Sequence, residues 1–183
     1  MMQEKTEKEK MLTGENYISL VPELCKMREE TLKATMKFNT TGDNSVIKEI
    51  FKQEFENFHL VPPFYCEYGE NIKIGKNVFI NFNCSILSPA LVEIGDNCYI
   101  GPNVQLYTAI HPINPIERNK GINLAKPIKI GKDCWIGGGV IVLPGVEIGE
   151  GCTIGAGSVV TKNIPSYTIA VGNPARIIRK IEV

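Results

Sequence analysis

From Ile74 onward, an aliphatic residue followed by glycine recurs in steps of six: Ile74-Gly75, Ile94-Gly95, Ile100-Gly101, Ile130-Gly131, Ile136-Gly137, Ile148-Gly149 and Ile154-Gly155. Ile80, Ile86, Leu106, Val142 and Val160 keep the beat without the glycine. Four residues after all of these but Ile86 and Leu106 stands a second, generally smaller residue: Val78, Cys84, Cys98, Val104, Cys134, Val140, Val146, Cys152, Ser158 and Ile164. A six-residue period predicts the stacked coils of a parallel β-helix. Two short strands and their corners cannot bury a face alone, so successive coils must cover one another. One large and one small inward position per hexapeptide fit a narrow triangular coil. Gly, Asn and Asp gather at the expected corners (Gly75, Asn77, Gly95, Asp96, Asn97, Gly131, Asp133), where left-handed backbone is cheapest.

The beat breaks in two places. Ile86 and Ile94 are eight residues apart, which predicts a two-residue insertion at a corner, at Pro89 and Ala90. Leu106 and Ile130 are twenty-four apart, still a multiple of six, but the residues between them do not repeat. Residues 107–127, with His111, Pro112, Pro115, Arg118, Asn119, Lys120 and Gly121, are therefore expected as a loop thrown out of the coil. Loops of that length in compact domains are functional or disordered. Ahead of the coil, Pro22 to Asn39 is rich in helix formers, with Leu24, Met27, Leu32 and Met36 apolar. Asp43, Asn44 or Ser45 can cap a second helix, in which Ile47, Ile50, Phe51, Phe55 and Phe58 recur at helical spacing. Val61-Pro62-Pro63 ends that segment, and the coil is expected to begin near Phe64 to Tyr68. The organisation is then a helical segment over 1–60, a coil over 61–165 and a terminal strand and tail over 166–183.

Composition narrows the partners. Lys plus Arg and Asp plus Glu are both 20, so the formal charge is zero and neither nucleic acid nor an anionic membrane is favoured. No apolar run approaches the ~20 residues that span a bilayer. Met1 to Lys10 is charged and lacks a signal-peptide core, which points to the cytoplasm. The six cysteines form no CxxC pair, and four of them (Cys84, Cys98, Cys134, Cys152) fall in the small inward slot, where a free Cys acts as a small hydrophobe. Gly149-Glu150-Gly151 starts like a dinucleotide fingerprint, but Ile154 takes the third glycine position, so these glycines belong to the repeat.

A bare β-helix is a scaffold, and function must be argued from sites on it. Of the two histidines, His59 lies among Phe58, Leu60 and Val61 and reads as structural or surface. His111 lies in the expelled loop, where a rigid scaffold can present an imidazole for acid–base work near neutral pH. Asn81-Phe82-Asn83, His111-Pro112, Trp135-Ile136-Gly137, the run Ile154 to Lys162 and Gly172-Asn173-Pro174-Ala175-Arg176 together resemble the maltose/galactoside O-acetyltransferases, which are hexapeptide-repeat acyltransferases. The resemblance extends to the start, Met11-Leu12-Thr13-Gly14-Glu15 followed by Tyr17. It implies a left-handed parallel β-helix, a hand opposite to the usual right-handed crossover. It also implies a homotrimer with active sites between subunits, and acetyl-CoA as co-substrate with no metal. His111 is then the general base, with the Gly138 N–H and the Asn81 amide as oxyanion donors. Trp135, Gly138, Ala156, Thr161, Lys162, Arg176 and Arg179 would hold the coenzyme, and Phe79, Asn81 and Pro89 would face the acceptor. Relatives often carry Tyr at the Phe79 position and a carboxylate at the Pro89 position, and an Asp in the segment Tyr17 to Leu24, where this chain has none. The acceptor pocket is therefore expected to be less polar.

The alternatives differ in what they need. A streptogramin- or chloramphenicol-type acetyltransferase would share the fold, the histidine and the coenzyme but use a non-sugar hydroxyl. A γ-type carbonic anhydrase would need three histidines around zinc, and only His111 is near the coil. A non-catalytic β-helix subunit would leave His111 and the Thr161-Lys162 and Arg176 pattern without a purpose.

Overall fold

A computed structural model describes residues 4–183. In chain order it runs α1 (Glu7–Thr13), β1 (Tyr17–Ile18), α2 (Pro22–Thr41), α3 (Ile47–Phe51), β2 (His59–Leu60), β3 (Phe64–Cys66), β4 (Ile72–Ile74), β5 (Phe79–Ile80), β6 (Cys84–Leu87), β7 (Val92–Ile94), β8 (Tyr99–Ile100) and β9 (Gln105–Tyr107). The expelled segment holds β10 (Ala109–Ile110), α4 (Pro115–Arg118) and β11 (Ile122–Ala125). The coil resumes with β12 (Ile128–Ile130), β13 (Trp135–Ile136), β14 (Ile141–Val142), β15 (Glu147–Ile148), β16 (Thr153–Ile154) and β17 (Val159–Val160), and closes with β18 (Thr168–Val171) and β19 (Arg176–Lys180).

The coil strands form three parallel faces. The first is β4-β7-β12-β15, the second β2-β5-β8-β13-β16-β18, and the third β3-β6-β9-β14-β17, with β19 pairing antiparallel on the end of the second. Register stacks like on like. Ile74, Ile94, Ile130 and Ile148 form one inward column, Ile80, Ile100, Ile136 and Ile154 another, and Ile86, Leu106, Val142 and Val160 a third. All are buried in one continuous core. Each fully buried Ile or Val is worth about 1.5–3 kcal/mol of apolar transfer, so the columns carry the stability of the coil.

The Ile-Gly repeat has a steric cause. A Cβ added to Gly95 would lie 2.6 Å from the backbone nitrogen of Lys132, and one on Gly131 would lie 2.5 Å from that of Glu150. Adjacent coils pass so closely at this point that only hydrogen fits. Left-handed backbone falls two residues later, at Asn77, Asn97 and Asp133 rather than at Gly75, Gly95 and Gly131, which corrects the expectation from corner composition. There the side chains form a ladder: the Asn77 amide donates to Asn97 Oδ1 at 2.9 Å, and the Asn97 amide to Asp133 Oδ1 at 2.8 Å. The four coil cysteines are buried free thiols, each donating to a carbonyl of the next coil, as Cys98 does to Gly131 at 3.1 Å.

The amino-terminal segment caps the open end of the core. Helix α1 starts on a Thr6/Glu9 capping box, and α2 starts at Pro22 and stops at Gly42, whose backbone is left-handed. The second predicted helix is shorter than its apolar spacing suggests. After α3, Lys52 turns left-handed, and Phe55 and Phe58 pack back on Phe51 from irregular backbone. The aromatic spacing thus records a cluster, not further helical turns. The coil begins earlier than the expected Phe64 to Tyr68: β2 pairs in parallel with β5, so it starts at His59. Among the described residues no helix is long and apolar enough to cross a membrane.

Candidate active site

All irregularities of the coil fall on one edge, between the third and first faces. That edge carries Glu67 in the first turn, Pro89 in the second and the expelled segment in the third. The segment is ordered. Strands β10 and β11 form an antiparallel hairpin, and β1 adds to it by pairing Tyr17 with Asn123 and Ile18 with Ile122. Tyr17, Met11, Leu24, Tyr68, Ala90 and Ala125 make a second small core beneath this layer. The result is a cavity of about 310 Å³ whose wall includes His111, Glu67, Pro89, Arg28, Ser19 and Asn123. His111 is exposed at its mouth. Asn123 donates to the Ser19 hydroxyl at 3.1 Å, and Arg28 donates to the Tyr68 hydroxyl and to the Ser19 carbonyl, the latter at 2.9 Å. Burial raises the Glu67 carboxyl above its ordinary value, against the nearby Arg28 and His111. Burial likewise pushes the Tyr17 hydroxyl well up, so it stays protonated.

A second concavity, about 470 Å³, runs along the second face and its edge with the third. Phe79, Tyr99 and Trp135 stand in register on successive coils, and His59 stacks on Phe79 with centroids 5.5 Å apart. Trp135 faces outward, 60% exposed, as expected from its place before the inward Ile136. Gly138 and Ala156 occupy equivalent corner positions of this groove, and Asn81 lies one position earlier in its own corner, level with Gly137 and Gly155. Asn81 Oδ1 accepts the Phe82 N–H at 2.8 Å, which leaves the Asn81 amide free to donate outward. Among the described residues the N–H groups of Gly138 and Ala156 find no acceptor, while their neighbours Gly137, Gly139 and Gly157 all do. Backbone donors left open in a water-accessible groove are ready to bind carbonyl or oxyanion oxygens.

The other expected site residues are spread more widely. Thr161 and Lys162 are exposed on the His111 edge, one residue past β17. Arg176 and Arg179 are exposed on β19, beyond the last coil of the groove. Phe79 and Pro89, expected together at the acceptor, are not together: Phe79 lies in the groove and Pro89 in the cavity. His111 and Asn81 also sit on different edges, so a single chain does not bring base and oxyanion donor to one point.

Residues 71–108 and 127–162 match the bacterial transferase hexapeptide family, and residues 10–57 match the maltose acetyltransferase capping motif. A maltose O-acetyltransferase from Clostridium difficile is 46% identical, covering 99% of this chain and 100% of its own, with a TM-score of 0.96. The chain belongs to the maltose/galactoside O-acetyltransferase family. A galactoside acetyltransferase solved with coenzyme A is 38% identical, with a TM-score of 0.93 over 98% of this chain and 92% of its own. A hexapeptide-repeat acetyltransferase from Vibrio cholerae, solved with acetyl coenzyme A, is 36% identical, with a TM-score of 0.91 over 98% of this chain and 100% of its own. The protein is accordingly an acetyltransferase.

The cavity beside His111 contains polar groups that the sequence did not single out, namely Arg28, Glu67, Tyr68 and Asn123. One of them had a signal. Cys66 and Ile74 are eight residues apart, the same irregular spacing as Ile86 and Ile94, which places Glu67 on the edge of Pro89 and His111. Arg28 lies in a helix whose pattern does not show which side chain reaches the coil. With Ser19, Arg28, Glu67 and Asn123 in its wall, the cavity is more polar than the Pro89 substitution alone suggested. Among the described residues no three His, Cys, Asp or Glu side chains come together in a way that could hold a metal.

Proposed function

We propose that the protein moves the acetyl group of acetyl-CoA to a hydroxyl of a sugar or glycoside by direct transfer, with His111 as general base. The observation that carries this reading is the division of labour between two concave sites. One is a polar cavity holding the only histidine of the expelled segment, and the other is a smooth groove with open N–H groups at Gly138 and Ala156.

In the cavity the imidazole takes the acceptor proton as the hydroxyl oxygen attacks the thioester carbonyl. The C–O bond forms, and the carbonyl electrons move onto oxygen. The Gly138 N–H and the Asn81 amide stabilise that oxyanion. Collapse breaks the C–S bond, and His111 returns its proton to the departing thiolate. Direct transfer requires no covalent enzyme intermediate, so the buried thiols stay outside the chemistry. Thr161, Lys162, Arg176 and Arg179 serve the coenzyme, the cations answering its phosphates.

Because base and oxyanion donors lie on different edges, the reading requires a neighbouring subunit. A homotrimer that sets the His111 edge of one copy against the groove of the next completes the site. A screen of sugars and glycosides with acetyl-CoA, following free thiol release, tests the assignment. His111→Ala should lower turnover roughly 10²–10⁴-fold while coenzyme binding persists. Near-normal turnover of that variant would remove His111 from the mechanism. Faster transfer to streptogramin or chloramphenicol hydroxyls than to any sugar would move the enzyme to the other acceptor class.

A further inference from the structure

The half-buried carboxylates of this protein are treated unequally. Glu7 is ion-paired with Lys10 at 2.7 Å, and Glu70 with Lys8 at 3.0 Å and Lys52 at 3.2 Å. Glu67 is half-buried as well, yet among the described residues its carboxylate has no ion pair within 4.0 Å and no hydrogen bond. The nearest candidate partner, Arg28, is committed elsewhere, to the Tyr68 hydroxyl, the Ser19 carbonyl and the Cys25 sulfur. A carboxylate withdrawn from water without a partner is costly, so its retention calls for a use. Glu67 and His111 line the same cavity, and the Glu67 carboxylate feels the charge of His111.

We propose that Glu67 is a positioning residue for His111, its ionised carboxylate stabilising the imidazolium that forms when His111 takes the acceptor proton. This rests on the reading of His111 as the base. The proton passes from acceptor to imidazole and on to the coenzyme thiolate, and Glu67 neither gains nor loses one. The other titratable groups facing Glu67 are Arg28 from α2, Tyr17 from β1, and Tyr68 and Cys66 beside it in the chain. The tyrosines and the Cys66 thiol are held protonated by burial, and a guanidinium stays charged at any accessible pH.

The sign follows directly. A nearby negative charge favours an imidazolium over a neutral imidazole, and its removal withdraws that preference. The test is Glu67→Gln and Glu67→Asp in the assembled enzyme, with kcat and both KM values measured across pH. For Glu67→Gln we expect kcat to fall about 10–100-fold with KM for acetyl-CoA unchanged, and the acid limb of the kcat profile to move down by about one pH unit. Glu67→Asp should recover most of the rate and the original limb. In a His111→Ala background, Glu67→Gln should cost almost nothing further. An unmoved acid limb overturns the inference. So does a loss confined to the acceptor KM, or an undiminished penalty in the His111→Ala background. If His111→Ala is inactive and Glu67→Gln is normal, this inference alone fails; if His111→Ala is active, the base assignment fails with it.

Discussion

The separation of His111 from the Gly138 and Asn81 donors makes a quantitative prediction about mixed assemblies. His111→Ala removes the base and Asn81→Ala one oxyanion donor, at costs of roughly 10²–10⁴-fold and 10²–10³-fold respectively. Neither change touches the core: His111 is exposed in the cavity mouth, and Asn81 is a half-buried corner residue. If each site takes its histidine from one subunit and its asparagine from the next, random mixing restores a site whenever the His-bearing edge comes from an Asn81→Ala chain and the groove from a His111→Ala chain. At equal proportions each condition holds half the time, so about a quarter of the sites regain both groups. If both groups came from one subunit, no site in the mixture would be whole. The assay is to co-express the two variants under different tags, purify assemblies carrying both, and follow thiol release from acetyl-CoA. A trimer carrying both tags has one restored site in three, so activity at about a third of the normal rate, at least tenfold above either parent, supports the shared site. Doubly tagged assemblies no more active than their parents would refute the reasoning, as would active monomers in light scattering.

Other consequences are simpler to state. Gly95→Ala should destabilise the fold by about 1–3 kcal/mol, because its methyl would meet Lys132 backbone that cannot retreat, whereas Gly157→Ala, with open space but a φ of +71°, should cost about 1 kcal/mol; thermal melts rank the two. In the native protein Ellman's reagent should react quickly with Cys25 alone, since the other five thiols are partly or wholly buried and burial pushes the Cys84 thiol up to about 11; a second fast thiol would contradict this packing. Trp135→Ala should raise KM for acetyl-CoA several-fold with a smaller effect on acceptor KM, measured by varying each substrate in turn. Phe79→Tyr should shift kcat/KM toward free glucose or maltose relative to aryl glycosides; an unchanged ratio would show that Phe79 does not touch the acceptor.

The coil was legible because its cause is local and repeated. Each Ile-Gly pair records an inward side chain followed by a point where the next coil's backbone leaves no room for a Cβ, and six residues return the chain to the same face. The helical cap was legible only in part. Phe51, Phe55 and Phe58 repeat at intervals that suit a helix, but they meet because the chain turns left-handed at Lys52 and folds the rings onto one another. Spacing reports which residues share a core; it does not report by what backbone path they reach it.

The site shows the same division. The family resemblance, not the period, singles out Trp135, Gly138 and Ala156 for the coenzyme and Asn81 for the oxyanion; they line one groove because the period returns each to the same face or its corner. The cavity is instead assembled from five stretches that no single period connects: the β1 segment, α2, the first and second coil edges and the expelled hairpin. Pro89 therefore looked like the loss of an acceptor carboxylate, while Glu67, one coil earlier on the same edge, keeps a carboxylate in the cavity wall. Moving that charge by one coil alters which atom it can reach. A carboxylate across from His111 bears on the charge that develops during proton transfer, whereas one at Pro89 would bear on a distant hydroxyl of the acceptor. On the proposed roles, substitutions at Pro89 and Glu67 should separate acceptor selectivity from base strength: Pro89→Asp in the acceptor KM, Glu67→Gln in kcat and its pH dependence.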